Sequence, residues 1–490
     1  MKNIALFFIS VIAVALIWHF FFQRSKELHI PKTVKPNIPD WHKNATIYEV
    51  NLRQFTKEGT FGAFQKHLPR LKELGVDILW LMPIHPISKK NRKGELGSPY
   101  AVGDYYEVNP DFGTSSDFKT LLAEIHQLGM HCIIDWVPNH SGWDNPWITE
   151  HPEYYQKKDG EITDPINKET GESWGWTDVA AFDYTVPEMR IAMIDAMKFW
   201  IKDIGIDGFR VDVAHGVPVD FWAQCADVLY KEKAIFFLAE AEVPAIVNNG
   251  AFVMDYGWEM HHVMNEIART QGMREDAKKL MQGNLVEDGV AEEEKYEPKT
   301  ALDIDSVFAK KDTAYNRGYQ MHFTSNHDEN SWAGTEFQRM GEGHKAFAVL
   351  SATFDGMPLI YTGQESALKK QLDFFGKDEV EWGDYAYAEF YKILFDLKHR
   401  NQAIWNGEYG GERHKIKTGV DELVYAFVRE KNRDKVVVIT NLSKDEQSFR
   451  LEDNQAVGEY INLFTNEKMQ LNLGDEISLA PWEYFVYTNK

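Results

Sequence analysis

The sequence predicts an α/β chain: a (β/α)8 barrel with a domain inserted after its third strand and an antiparallel β domain at its C-terminus. Three observations carry this. Eight short, mostly continuous apolar runs precede residue 362, and longer amphipathic segments separate them. After about Asn406 the pattern changes to short strands between turn residues. Continuous apolar runs suit parallel strands covered on both faces, and strands alternating with helices suit parallel crossovers. The strand count by itself fits a doubly wound open sheet as well.

Taken in order, Ile4 to Phe22 is an almost wholly apolar run. As a helix it would span about 28 Å, close to a hydrocarbon core of roughly 30 Å. It ends in Trp18-His19-Phe20-Phe21-Phe22 with no small-residue cleavage site, so residues 1–26 are expected to be an uncleaved membrane anchor, with a cleaved signal as the alternative. The flanking charges Lys2, Arg24 and Lys26 orient it only weakly. Export of the remaining chain is the expectation. Residues 27–44, with Pro31, Pro36 and Pro39, read as an extended linker.

The strand candidates are Ile47–Asn51, Ile78–Pro83, Cys132–Val137, Gly208–Val213, Ile235–Ala239, Phe252–Tyr256, Tyr319–Thr324 and Pro358–Tyr361. Thr114-Ser115-Ser116-Asp117 is a capping-box start for a helix with Phe118, Leu121, Leu122 and Ile125 on one face. Thr185-Val186-Pro187-Glu188 starts another helix, which Gly205 ends. The barrel is thus expected over 45–138 and 185–405, interrupted by a long Trp-rich insertion at 139–184; loops of that length are usually functional. The acidic stretch Val286 to Ser306 reads as a solvated excursion. Residues 406–490 form the β domain, with strands at Leu423–Val428, Val436–Ile439, Tyr460–Leu463 and Tyr484–Val486.

Composition narrows the partners. The formal charge of −22 argues against nucleic acid, whose phosphates it would repel, and is compatible with a neutral sugar. The 15 Trp and 21 Tyr supply flat faces on which sugars can stack, although a large aromatic core accounts for them equally well. The two cysteines, Cys132 and Cys225, lack metal-ligand spacing and are expected to be buried free thiols.

Chemistry concentrates at the C-terminal ends of the strand candidates, where barrel enzymes place their catalytic groups. The third leads into Asp135-Trp136-Val137-Pro138-Asn139-His140, the fourth is Gly208-Phe209-Arg210-Val211-Asp212, the fifth ends in Ala239-Glu240 and the seventh in Asn326-His327-Asp328. A single such acid is more often a cap or a surface ion pair. Four at one barrel mouth are costly unless paired or used. Arg210 and Asp212, two apart on a strand, face the same way, and their contact is expected to keep Asp212 ionised.

These motifs, in this order, resemble the four strand-end motifs of the α-amylase family of glycoside hydrolases (family 13). Ala239-Glu240 stands where the family more often has Gly-Glu. Pro99-Tyr100 with Asp104-Tyr105, and Gly356-Met357-Pro358 through Glu365, also agree. The resemblance spans about Trp41 to Arg400. It implies Asp212 as nucleophile, Glu240 as general acid/base with a raised pKa, and Asp328 as transition-state stabiliser. Asp135, Arg210, His140, His327 and Tyr100 would hold the reacting sugar. It also implies retention of configuration, with the two working carboxyls about 5–5.5 Å apart.

Asp212-Val213-Ala214 followed by Phe221-Trp222 looks like the neopullulanase and cyclomaltodextrinase branch, while the absence of that branch's extra N-terminal domain and the segment Ala180 to Tyr184 depart from it. The implied activity is hydrolysis of α-glucans or malto-oligosaccharides, with the preference between α-1,4 and α-1,6 bonds open. Two alternatives stand beside it: an α-glucan transglycosylase with the same residues, and a non-catalytic membrane-anchored relative of the kind that serves transporter assembly. The second is disfavoured by the complete catalytic set. No cofactor is expected to be required. Asn139 matches a calcium-binding position of many relatives, but one amide oxygen is far short of the 6–8 oxygens calcium takes.

Overall fold

A computed structural model describes residues 30–167, 170–272 and 298–490. The expected anchor at 1–26 and most of the acidic stretch 286–306 lie outside the described residues. Among the described residues no helix is long and apolar enough to cross a membrane.

All eight strand candidates form strands: β1 (Ile47–Val50), β2 (Ile78–Leu81), β3 (His131–Trp136), β4 (Gly208–Val211), β5 (Phe236–Ala239), β6 (Met254–Tyr256), β7 (Tyr319–His322) and β8 (Met357–Tyr361). They close into a parallel barrel in sequential order, β8 pairing β1 through Ile47–Leu359. Closure excludes the open sheet.

Because side chains alternate along a strand, one set points inward and the other toward the helices. Ile47, Ile78, Ile133, Phe236, Met254, Met321 and Met357 fill the interior, whereas Tyr48, Leu79, Ile134, Phe209 and Phe237 pack outward. The inward set turns polar toward the C-terminal mouth: Glu49, Asp135 and Arg210 are all wholly buried. A polar top layer over an apolar plug is the scaffold of the site.

The helix signals hold. Thr114 caps Ser115–Gln127 in a full capping box with Asp117. Pro187 opens Pro187–Phe199, which runs into a π-turn at Trp200–Ile204 and stops at Gly205, whose φ of 96° favours glycine. The acidic stretch departs from its expectation at its end. Thr300 and Asp303 form a capping box that starts a helix at Ala301–Ala314, so residues 301–306 are helical rather than a free excursion.

The linker reading needs a similar correction. Val34 N–H donates to Asn249 O at 2.7 Å and Ile235 N–H to Asn37 O at 3.0 Å. Trp41 stacks on His131 at 4.0 Å and packs against the interior cluster of the barrel. This segment is laid against the barrel.

The insertion after β3 is tied at its base by the antiparallel pairing of His140–Gly142 with Val179–Ala181. The C-terminal region has a six-stranded antiparallel sheet and a two-stranded one, around a core that includes Val424, Val437, Phe449 and Leu479. Arg429, wholly buried, joins it to the barrel by donating to Thr353 O and Phe354 O. Cys132 and Cys225 are buried free thiols, as expected.

Candidate active site

The mouth of the barrel is organised around one cation. Arg210 Nη1 donates to Asp135 Oδ1 at 2.9 Å and to Asp212 Oδ1 at 3.0 Å. Its Nη2 forms an ion pair with Glu240 Oε1 at 2.7 Å, and its Nε donates to the Tyr256 hydroxyl at 3.1 Å. The guanidinium also lies over the Trp80 ring, 4.9 Å from the ring centre. A planar fork with five donors can serve several acceptors at once, and here it serves three carboxylates. β4 and β5 therefore bring Asp212 and Glu240 to one guanidinium.

A second relay runs beside it. His327 Nδ1 donates to Glu49 Oε1 at 2.5 Å. His327 Nε2 lies 2.8 Å from the Tyr100 hydroxyl and 3.3 Å from Asp328 Oδ2. The Tyr100 hydroxyl donates onward to Asp135 Oδ2 at 3.1 Å, which also accepts from Trp80 Nε1 at 3.1 Å. Burial disfavours a charge on His327, but Asp328 and Glu49 outweigh it and raise the pKa to about 9. The imidazolium then donates from both nitrogens.

Burial raises Asp135 to about 6 against the pull of Arg210, and lowers His140 to about 4, so that ring is neutral.

The electrostatics of the central pair reverse the expectation. Contact with Arg210 was expected to keep Asp212 ionised. Burial, and next to it the charge of Glu240, push Asp212 well above the carboxylate range. Glu240 was expected to be raised. Burial does push it up, but Arg210 and the Val213 N–H, which donates to Glu240 Oε2 at 2.8 Å, hold it below its ordinary value. One cation is divided among three acids, and Glu240 has the additional amide.

That amide is aimed by an unusual backbone. Val213 has φ 42° and ψ 43°, a left-handed conformation that β-branched residues rarely adopt.

A cleft of about 1110 Å³ opens above these groups, within reach of Tyr100, His140, Asp212, Glu240, His327 and Asp328. Asp135 and Arg210, expected among the sugar-contacting residues, are wholly buried and lie under its floor. They position Asp212, Tyr100 and Glu240. Asn139 borders the cleft, but its amide donates to His140 Nδ1 at 3.2 Å. Among the described residues no group of three or more His, Cys, Asp or Glu could hold a metal ion.

Glu49, Trp80 and Tyr256 belong to the site and were missed in the sequence. Glu49 carried a signal: it is the one acid in an otherwise uncharged strand, Ile47-Tyr48-Glu49-Val50. Trp332, Phe374 and Phe375, which also line the cleft, carried none.

Comparison with known proteins agrees with this architecture. Residues 22–411 match the family model described as alpha amylase, catalytic domain. Residues 424–486 match the alpha-amylase SusG C-terminal domain. The alpha-amylase MalA of Haloarcula japonica is 26% identical over 84% of this chain, which spans 57% of that protein's length. An oligo-1,6-glucosidase of Parageobacillus thermoglucosidasius is 23% identical over 91% of this chain and 98% of its own. Among solved structures, the noncanonic maltogenic alpha-amylase AmyB from Thermotoga neapolitana superposes with a TM-score of 0.75 at 26% identity, covering 91% of this chain and 98% of that one. A closed eight-stranded barrel, four acid-bearing strand ends in order and a matching catalytic domain together place the chain in the α-amylase family of glycoside hydrolases.

Proposed function

We propose that this chain hydrolyses α-glucosidic bonds of α-glucans or malto-oligosaccharides with retention of configuration. The observation that carries the reading is the convergence of Asp212, Glu240 and Asp328 on a single cleft, with the first two held by the same guanidinium.

Asp212 is the nucleophile, attacking the anomeric carbon to give a glycosyl-enzyme. Glu240 protonates the departing oxygen and then takes a proton from water. In the free site Asp212 is the acid pushed up and Glu240 the acid held down, the reverse of what the first step needs. A glycosidic oxygen set against Glu240 competes with Arg210 and the Val213 amide for that carboxyl. It favours a proton on Glu240 and an ionised Asp212 beside Arg210. Asp328, about a third exposed to the cleft, stabilises positive charge developing on the sugar ring. The Tyr100 ring stacks on the reacting sugar, and His140 and His327 bind its hydroxyls.

No cofactor enters this scheme. The N-terminal run Ile4 to Phe22 anchors the enzyme to a membrane with its catalytic domain exported. That part of the reading rests on the apolar length of the run alone, and membrane fractionation with and without residues 1–26 tests it.

The product profile on maltotriose, pullulan, cyclodextrin and isomaltose tests bond type and the choice between water and sugar as acceptor. Asp212→Asn is expected to abolish turnover with the fold intact. More than a few percent of wild-type activity on maltotriose would refute the nucleophile assignment.

A further inference from the structure

The cleft has two unlike ends. The acid protonates the leaving group, so the leaving group lies on the Glu240 side, bordered by Val213, His215 and Gly216 on the turn after β4. The sugar that stays on the enzyme lies on the side of Tyr100 and His327. This assignment rests on the function proposed above.

On the retained side the chain makes a bridge. Residues 89–98 run from the insertion to the segment after β8. The N–H groups of Lys89 and Lys90 donate to Asp144 Oδ2 at 2.6 and 2.9 Å. Lys93 Nζ donates to Gly175 O at 2.9 Å and lies 3.7 Å from Asp178 Oδ1. Leu96 N–H donates to Phe375 O at 2.8 Å, and Arg53 Nη2 donates to Gly97 O at 3.1 Å. At Gly94, with φ +63°, a Cβ would stand 2.4 Å from that of Phe375, so the strap presses on that loop as closely as glycine allows.

The anchor points matter because of what flanks them. Gly175 lies between Trp174 and Trp176, which are stacked at 6.4 Å and line the cleft. Phe375 packs with Phe374 against Trp332, an indole 47% exposed and placed by the π-turn that follows Asp328. Phe374 is parallel to Tyr100 at 6.2 Å. Aromatic faces thus run outward from Tyr100 to Trp332, and a lysine-pinned strap joins their far edge to the insertion.

We propose that residues 89–98, latched by Lys93, form an end wall on the retained-sugar side of the cleft. The enzyme then takes α-glucan chains by their non-reducing ends and releases short products, with Trp332 as the platform for the sugar next to the reacting one. A long chain cannot run past the latch in both directions. A free terminus can enter beneath it.

The test compares hydrolysis of a p-nitrophenyl maltoheptaoside with a free non-reducing end and the same compound capped there by a 4,6-O-ethylidene group, with products separated chromatographically. The wild type is expected to prefer the free-ended compound by roughly 100-fold in kcat/KM, the scale of discrimination that steric exclusion gives. Lys93→Ala is expected to narrow that ratio to under about tenfold by releasing Gly175, and Lys93→Arg to restore it. Equal cleavage of both compounds by the wild type, with Asp212→Asn inactive, would overturn the end wall and leave the proposed function standing. A wild type inactive on both compounds would remove the function itself. A strong wild-type preference unchanged in Lys93→Ala would also overturn the proposal, because the latch would not be what closes the cleft.

Discussion

Glu49→Gln offers a sharp test of the site's electrostatics. The change keeps the shape of the side chain and removes the charge 2.5 Å from His327 Nδ1. His85 shows what burial alone does here: equally buried and bonded only to the main-chain oxygen of Glu107, it is lowered to about 4. His327 stands at about 9. The gap corresponds to charge stabilisation on the order of 7 kcal/mol, at ~1.4 kcal/mol per tenfold step. Glu49 and Asp328 share it. Asp328 leaves 36% of its side chain open to the cleft and is screened by solvent, so Glu49, wholly buried, carries the larger part. Removing it should bring His327 down toward its ordinary value of 6.5. The sign follows from a raised histidine: its stabilisation is full below its ordinary value of 6.5 and is lost as pH rises through about 9. In Glu49→Gln that loss should be complete by neutral pH. The assay is kcat/KM on maltotriose across pH 5–10, with thermal unfolding measured alongside. The variant should lose activity on its alkaline side about two to three pH units earlier than the wild type. Coincident alkaline limbs would refute the reasoning, because His327 would then not need Glu49 to hold its proton.

The remaining predictions concern the scaffold and the metal question. Arg210→Met should destabilise the fold by about 3–5 kcal/mol at neutral pH, since Asp135, Asp212 and Glu240 lose their shared cation. Denaturant unfolding should show the penalty shrinking in acid as those carboxyls take protons. Thr114→Ala removes one half of the capping box at Ser115–Gln127 and should cost about 1 kcal/mol in the same assay with kcat unchanged. Chelation with EDTA should leave activity on maltotriose intact; a loss reversed by calcium and absent in Asn139→Ala would show that Asn139 helps to hold a cation.

How much of this was legible follows from what each element buries. The eight barrel strands are covered on both faces, so most are nearly continuous apolar runs, and only their ends shifted, by one or two residues. Four strands of the C-terminal domain were visible, two of them, Val424–Lys431 and Asp434–Asn441, for the same reason. The others were not. Gln447–Arg450 and Glu476–Leu479 pair with each other but bury only alternate residues over four positions, too short a pattern to stand out from a polar loop. The catalytic carboxylates could be read because strand ends are local in sequence. The partners that set their charge could not: Glu49 reaches His327 across 278 positions, and the Val213 N–H reaches Glu240 only because of a backbone angle the residue type does not favour.

That difference explains why the residues of the site were legible while its protonation was not. Residue identity says which groups can ionise. The ionisation state depends on how many acceptors one cation must serve, and that is a property of packing. Arg210 next to Asp212 on one strand suggests a simple pair, but closing the barrel brings Asp135 from β3 and Glu240 from β5 to the same guanidinium. The pair becomes a competition, and the acid with the extra amide wins the charge. On the function proposed above, the empty site leaves Asp212 the less ready of the two to ionise and Glu240 the less ready to carry a proton. Substrate binding supplies the free energy that reverses the assignment.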